Sequence, residues 1–249
     1  MKIAVVSDIH GNVLALEAVL ADLKSEAPDL VVNLGDCVSG PLWPEDTAAI
    51  LRDTAWPTIR GNHDRIVLED PIEKMGPTDA FAAERLSSES INWLKTAKPT
   101  IRLDGEIFLC HGTPDNDDRY LTEKVEGPKG HLPDEETLLA ELKGEKSPII
   151  CCGHTHIPRV IRLQKTGQTL LNPGSVGLPS YEDDHPNKHK MEAGSPHARY
   201  AVMTKSERGW SFQEKILPYD WDAASKEAEK NGRLGWARAL KHGFFGPLS

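Results

Sequence analysis

The chain has 249 residues, 39% of them hydrophobic and 27% charged, enough for a sizeable core in one large domain or two small ones. Its 29 basic and 38 acidic side chains give a net charge of -9, which argues against stable binding to nucleic acid or to an anionic membrane. No apolar run approaches the ~20 residues of a membrane span, and the apolar stretch behind Met1 and Lys2 is too short for a signal peptide, so a cytoplasmic protein is expected.

Residues 2–7 are β-rich. Residues 12–24 then place Val13, Leu16, Val19, Leu20 and Leu23 at helical spacing, with Asn12 as N-cap. A second strand follows at 30–34, a second helix at 44–52 with Pro44 in its first turn, and a third strand at 57–60. This βαβαβ rhythm predicts a largely parallel sheet with helices on its faces. One helix is expected over 78–97, carrying Phe81, Leu86, Ile91, Trp93 and Leu94. Strands then dominate, at 100–103, 107–110, 149–152, 159–163, 169–172, 200–203 and 210–216, the first pair joined by a tight hairpin at Asp104 and Gly105.

Residues 114–148 form a polar insertion with a short helix at 134–142. A polar, mobile loop is expected over 181–195 and an Ala-rich helical tail over 222–241. With no repeat or linker, a single domain over 1–249 is expected. The cysteines Cys37, Cys110, Cys151 and Cys152 have no CxxC spacing and lie in or beside apolar runs, which predicts buried, reduced thiols.

Five stretches repeat one pattern, an apolar run that ends in Gly beside Asp, Asn or His. "VVSDIHGN" supplies Asp8 and His10, "VVNLGD" Asp36, "TIRGNHD" Asn62, His63 and Asp64, "IFLCHG" His111, and "IICCGHTH" His154 and His156. Residues just past the carboxyl ends of strands line the crevice of an open α/β sheet, so these side chains can converge. At i, i+2 in extended chain, Asp8 with His10 and His154 with His156 would each point the same way. Carboxylate, carboxamide and imidazole together suit Mn²⁺, Fe or Zn²⁺. One such stretch is weak support for a metal; five are strong.

The set "DIH…GD…GNHD…H…GHTH" resembles the calcineurin-like metallophosphoesterases, and "SDIHGN", "GNHD", "HGTP", "GHTHIP" and "NPGSVG" are similar to their small bacterial phosphodiesterase branch. The resemblance spans residue 1 to about 216 and implies an α/β four-layer sandwich, two mixed β-sheets flanked by helices. It implies that Asp8, His10 and His156 hold one ion, that Asn62, His111 and His154 hold a second, and that Asp36 bridges them. The implied cofactors are two divalent metal ions, Mn favoured over Fe or Zn. The implied reaction is phosphoester hydrolysis by a hydroxide shared between the ions, with His63 assisting and Asp64 fixing the His63 tautomer.

Other residues weigh less. Pro173 breaks G-x-S-x-G, so Ser175 is expected in a turn beneath the site rather than as a nucleophile. Leu178 and "GDCVSGPLWP" depart from the family's usual Gln and "GYGP". Arg60 could touch phosphate or make a structural salt bridge. The run Pro114 to Asp118 is expected as a solvated loop, and His185 and His189 at the surface. A small phosphorylated or nucleotide substrate is expected, with phosphodiesters or dinucleotides ahead of phosphomonoesters or phosphoproteins, and a homo-oligomer is allowed. A catalytically weak interaction module on the same fold is the alternative from another class; such a module would be expected to have lost ligands, and here all seven and His63 are present.

Overall fold

In the computed structural model, which describes residues 1–246, the first strand already sets the layering. β1 (Lys2–Val6) turns Ile3 and Val5 to one face and Ala4 and Val6 to the other, and all four are buried. Burial on both faces is what a strand covered by a second sheet on one side and helices on the other requires. From β1 the chain runs through α1 (Val13–Glu26) to β2 (Leu30–Asn33), which pairs with β1 in parallel. Four helices follow: α2 (Pro44–Arg52), α3 (Asn62–Glu69), α4 (Pro77–Ala83) and α5 (Ser88–Leu94).

The second sheet opens with the hairpin β3 (Ile101–Leu103) and β4 (Ile107–Leu109). An insertion carries β5 (Lys124–Val125), β6 (Gly130–His131) and α6 (Glu135–Glu141). β7 (Ile149–Cys151), β8 (Arg159–Arg162) and β9 (Thr169–Asn172) complete the sheet in the order β3-β4-β7-β9-β8, with β4, β7 and β9 parallel. A second hairpin, β10 (Ser180–Asp183) with β11 (His189–Glu192), stands apart from both sheets. β12 (Ala198–Ser206) and β13 (Gly209–Leu217) then return to give the first sheet the order β13-β12-β1-β2. The described chain closes with α7 (Trp221–Lys230) and α8 (Leu234–His242).

Both sheets are therefore mixed, and they share a core. Ile3, Val5, Val32, Ala201 and Met203 from the first pack against Ile107, Leu109, Ile149, Cys151 and Leu171 from the second. Outside the first sheet Leu16, Val19 and Leu51 of α1 and α2 cover Ala4, Val6 and Val202. Outside the second, Leu138 and Leu142 cover Phe108, Ile150 and Leu170. Each large side chain so buried contributes roughly 1.5–3 kcal/mol. The four-layer sandwich is thus the observed fold.

Several boundaries differ from the sequence reading. The helix expected over 78–97 is two helices, because Ser87 leaves the helix and accepts from Ser90 N–H as a fresh N-cap while Glu45 takes its own N–H. The strand at 57–60 reduces to single bridges at Thr58 and Ile59, the chain turning at once into α3. The tail breaks at Gly232, whose φ of +74° closes α7 before α8 begins. The loop over 181–195 is the β10–β11 hairpin, and His189, expected at the surface, is buried in it. Among the described residues no helix is long and apolar enough to cross a membrane.

Candidate metal centre

β1, β2, β4 and β7 each deliver a polar residue just past the strand end, and both sheets present those ends on the same side of the molecule. Asp8, Asp36, His111 and His154 follow these strands and are all buried. Two groups result: Asp8, His10 and His156 offer ligand atoms within 4.8 Å of one another, and so do Asp36, His111 and His154. The i, i+2 pairs are not extended, as the sequence reading assumed. Asp8, His10, Asp36, His154 and His156 all lie in the left-handed region, with φ of 55°, 51°, 53°, 67° and 59°. Non-glycine residues rarely accept that conformation, and clustered outliers of this kind mark functional sites.

Backbone carbonyls set the histidine tautomers. Nδ1 of His10 meets Ser39 O at 2.7 Å, Nδ1 of His111 meets Leu34 O at 2.7 Å, and Nδ1 of His156 meets Leu178 O at 2.6 Å. A carbonyl only accepts, so each Nδ1 carries the proton and each Nε2 turns a lone pair inward. The acceptors then face one another: His10 Nε2 lies 3.1 Å from His156 Nε2, and His111 Nε2 lies 3.0 Å from Asn62 Oδ1. Asp8 Oδ1 is buried without a hydrogen-bond partner among the described residues and lies 3.3 Å from His156 Nε2. Opposed lone pairs and an orphaned carboxylate oxygen are what a bound cation would satisfy, so the residues fit divalent metal ions.

Asp36 stands between the groups. Its Oδ2 is 3.2 Å from His111 Nε2 and 3.8 Å from His10 Nε2, while Oδ1 accepts from His63 N–H at 3.0 Å. Gly61 permits this approach, since a Cβ there would fall 2.1 Å from Asp36 Oδ1. Asp118 Oδ1 accepts from Asn62 Nδ2 at 3.2 Å and so turns Asn62 Oδ1 toward His111. In "NPGSVG", Ser175 Oγ donates to Asp8 O, and a Cβ on Gly177 would fall 1.8 Å from Ile9 O. That stretch is a close-packed turn under the site, as expected.

Proton affinities in the site follow from burial and from the neighbouring charges. Burial disfavours ionised Asp8 and Asp36, but His156 and His111 respectively outweigh it and hold both carboxyls below their usual range. Burial also opposes a charged His111, yet Asp36 and Asp8 push its pKa up to about 10. His10 falls to about 4 and His154 to about 3, burial being the main cause and a neighbouring histidine the next. The thiols of Cys37, Cys110, Cys151 and Cys152 are free, buried and pushed up by that burial, which matches filler rather than ligand.

His63 borders the same cleft of about 380 Å³ together with His10, Asp36, Asn62, His154 and His156. The expected partner for its ring was Asp64, and this is corrected. Asp64 instead accepts backbone N–H groups from Asp36, Cys37 and Gly61 at 2.8, 2.9 and 3.1 Å. Asp79 takes the ring, its Oδ1 lying 2.7 Å from His63 Nδ1. Burial opposes a charged His63, but Asp36 and then Asp79 raise its pKa to about 9. Asp79 sits in no motif, 16 residues along the chain, and only the fold of α4 against α3 brings it in.

The 114–118 run is a loop with Asp115, Asn116 and Asp118 exposed, as expected, but it also borders the site: Asp117 pairs with Arg65 at 2.8 Å and Asp118 accepts from Asn62. Tyr181 Oη donates to His154 O at 3.1 Å, and Tyr120 Oη joins Tyr181 and His189. Arg60 makes a salt bridge to Glu69 at 2.7 Å, and Arg159 one to Glu123 at 2.7 Å, so neither is free for substrate.

Two adjoining aspartate–histidine groups at the strand ends of a two-sheet sandwich define a metal-dependent hydrolase type of site. The sequence pattern of the calcineurin-like phosphoesterase superfamily domain matches residues 1–190, and the chain belongs to that superfamily. It is 29% identical over 257 residues to the uncharacterized protein MJ0912 of Methanocaldococcus jannaschii, covering 94% of each chain. Its fold is similar to that of a metallophosphoesterase from Sphaerobacter thermophilus, at 22% identity and a TM-score of 0.70, covering 95% of this chain and 100% of that one. It is also similar to hypothetical protein PH1004 from Pyrococcus horikoshii OT3, at 19% identity and a TM-score of 0.74, covering 98% of each.

Proposed function

We propose that the protein hydrolyses phosphoester bonds with two divalent metal ions, manganese first, acting on phosphodiesters or dinucleotides. The observation that carries this reading is the pair of ligand groups with Asp36 between them and His63 at the rim of the same cleft. Asp8, His10 and His156 would hold one ion, Asn62, His111 and His154 the other, and Asp36 would bridge. When bound, such ions supply Lewis acidity toward phosphate oxygens and a nucleophilic hydroxide at neutral pH. The chain's own contribution is orientation and proton movement. Asp79 accepts from His63 Nδ1, leaving Nε2 to meet a departing oxygen and give it a proton. With Arg60 and Arg159 occupied by glutamates, the matched segments neutralise little charge, which favours a singly charged diester. Phosphomonoester hydrolysis is the second reading, and Arg233 in the cleft favours it.

The test compares kcat/KM for bis(nitrophenyl) phosphate and nitrophenyl phosphate after Mn²⁺ is restored to chelator-stripped protein. The diester is expected to be faster; a monoester preference of about tenfold, 1.4 kcal/mol in the barrier, would transfer the assignment to a phosphomonoesterase. His63→Ala should keep its metals and lose about 10²–10⁴ in turnover, least for nitrophenol leaving groups. Full activity of this variant on every ester would remove His63 from the mechanism.

A further inference from the structure

Beyond residue 190, where the family match ends, the chain returns to the metal centre. Arg233, Trp236 and Phe245 line the cleft opposite the strand ends, and the Trp236 ring lies edge-on to His10 with centroids 5.8 Å apart. The position of Arg233 is fixed from several sides. Its N–H donates to Ala228 O at 2.8 Å, it is the N-cap residue of α8, and the preceding Asn231 donates through Nδ2 to Pro41 O at 3.0 Å. Ser225 Oγ donates to Ala237 O at 2.7 Å and locks α7 to α8.

The guanidinium so positioned has no acceptor. Arg233 Nη1 is buried and makes no hydrogen bond among the described residues. Arg60 Nε is likewise buried without a partner, but Arg60, Arg65, Arg102, Arg119 and Arg159 each reach a carboxylate through a guanidinium nitrogen, which Arg233 does not among the described residues. A buried guanidinium nitrogen without a partner is costly unless something anionic completes it. Arg233 lines a cleft whose other walls carry candidate metal ligands and a candidate proton donor.

We infer that Arg233 is a substrate-binding residue that takes the phosphate next to the one being attacked, so that the substrate is a phosphoanhydride such as a dinucleoside polyphosphate. The inference rests on the phosphoesterase reading above. Arg233 shares the cleft with His63, and Trp236, one turn further along α8, lies edge-on to the same His10 ring as His63 does, with centroids 5.8 and 5.5 Å away. His63 faces the leaving group in that reading, so the charge Arg233 meets is carried by the leaving phosphate. In the balanced step the oxygen of water bonds to phosphorus. The bond from that phosphorus to the bridging oxygen breaks, its electron pair stays on the leaving phosphate, and one water proton is lost to solvent. Because the leaving phosphate already carries charge, a fixed guanidinium stabilises it as the bond breaks.

The experiment compares wild type, Arg233→Gln and Arg233→Lys as Mn²⁺-loaded full-length protein, with metal content and thermal midpoint checked for each. Calorimetric binding of pyrophosphate and of inorganic phosphate gives a readout independent of turnover. Wild type should bind pyrophosphate at least about tenfold more tightly than phosphate, and Arg233→Gln should lose that margin while keeping both metals. Arg233→Lys should recover part of it. In turnover, kcat/KM for a dinucleoside polyphosphate should fall about 10–10²-fold in Arg233→Gln while that for bis(nitrophenyl) phosphate changes less than about threefold. An unchanged pyrophosphate margin, or equal losses on both substrates, overturns the role of Arg233. A larger loss on nitrophenyl phosphate than on the polyphosphate overturns the placement on the leaving phosphate. Wild-type protein that neither binds phosphate nor cleaves any ester would instead overturn the phosphoesterase reading itself.

Discussion

Replacing Asp79 by Asn isolates one contact on which the reading of His63 depends. The Asp79 carboxylate lies 2.7 Å from His63 Nδ1, is 5% exposed, and accepts from Ser39 Oγ as well. Asn keeps the shape and one carbonyl oxygen but removes the charge. A hydrogen bond to a charged group contributes about 1.5–3 kcal/mol, so loss of its charge-assisted part should cost about 10–10²-fold in kcat. The ceiling is the whole contribution of a proton-transferring histidine, about 10²–10⁴-fold. The assay is kcat for a nitrophenyl ester and for an ester with a poor leaving group, on protein whose metal content matches wild type. The loss should be larger for the poor leaving group, because that oxygen needs the proton more. A variant with wild-type kcat on both substrates would refute the claim that Asp79 positions His63.

Asp36→Ala should lose both metal ions, since Asp36 Oδ2 faces both ligand groups; elemental analysis showing both retained would rule out a bridge. Asp64→Ala should behave differently from Asp79→Asn, acting on stability rather than chemistry. It orphans three backbone N–H groups at about 1–3 kcal/mol each, so urea unfolding should show a loss of several kcal/mol. Adding Mn²⁺ to chelator-stripped wild type should raise the thermal midpoint, and no rise at saturating metal would contradict the fit of the ligand groups.

Much of this was legible in the sequence because the site is built from strand ends. An apolar run closing on Gly and a ligand announces both the strand and the residue it delivers, and all seven expected ligands converge. The helices α1 and α2 were equally readable, α1 from its spacing and from Asn12, which accepts as N-cap, and α2 from Pro44 in its first turn; the short helix expected over 134–142 is α6. What was not legible depends on contacts between distant segments. Asp79 reaches His63 only because α4 folds back on α3, and His189 is buried only because the β10–β11 hairpin meets Tyr120. Asp64 misled for a local reason: adjacency in sequence suggested the ring of His63, whereas the first turn of α3 points the carboxylate back at the amides of residues 36, 37 and 61. Arg233 carried no motif at all.

The left-handed residues connect the fold to its chemistry. Asp8, His10, Asp36, His154 and His156 each adopt a backbone conformation that costs about 1–3 kcal/mol relative to the common regions. Their side chains also oppose lone pairs at close range, and Asp8 Oδ1 has no partner. Neither feature stabilises the sandwich, whose core of Ile3, Val5, Ile107 and Leu109 would pack as well with relaxed loops. Both features would be offset by cations bound at the two groups, because ligand bonds would take up the opposed lone pairs. Strain is tolerated where the surrounding structure over-determines it, and here two sheets, the turn at Ser175 and the amide-bound Asp64 fix the loops from below. The rigid sandwich thus holds the ligand loops in a conformation they would not choose alone, and the C-terminal helices close the remaining side with Trp236 against His10.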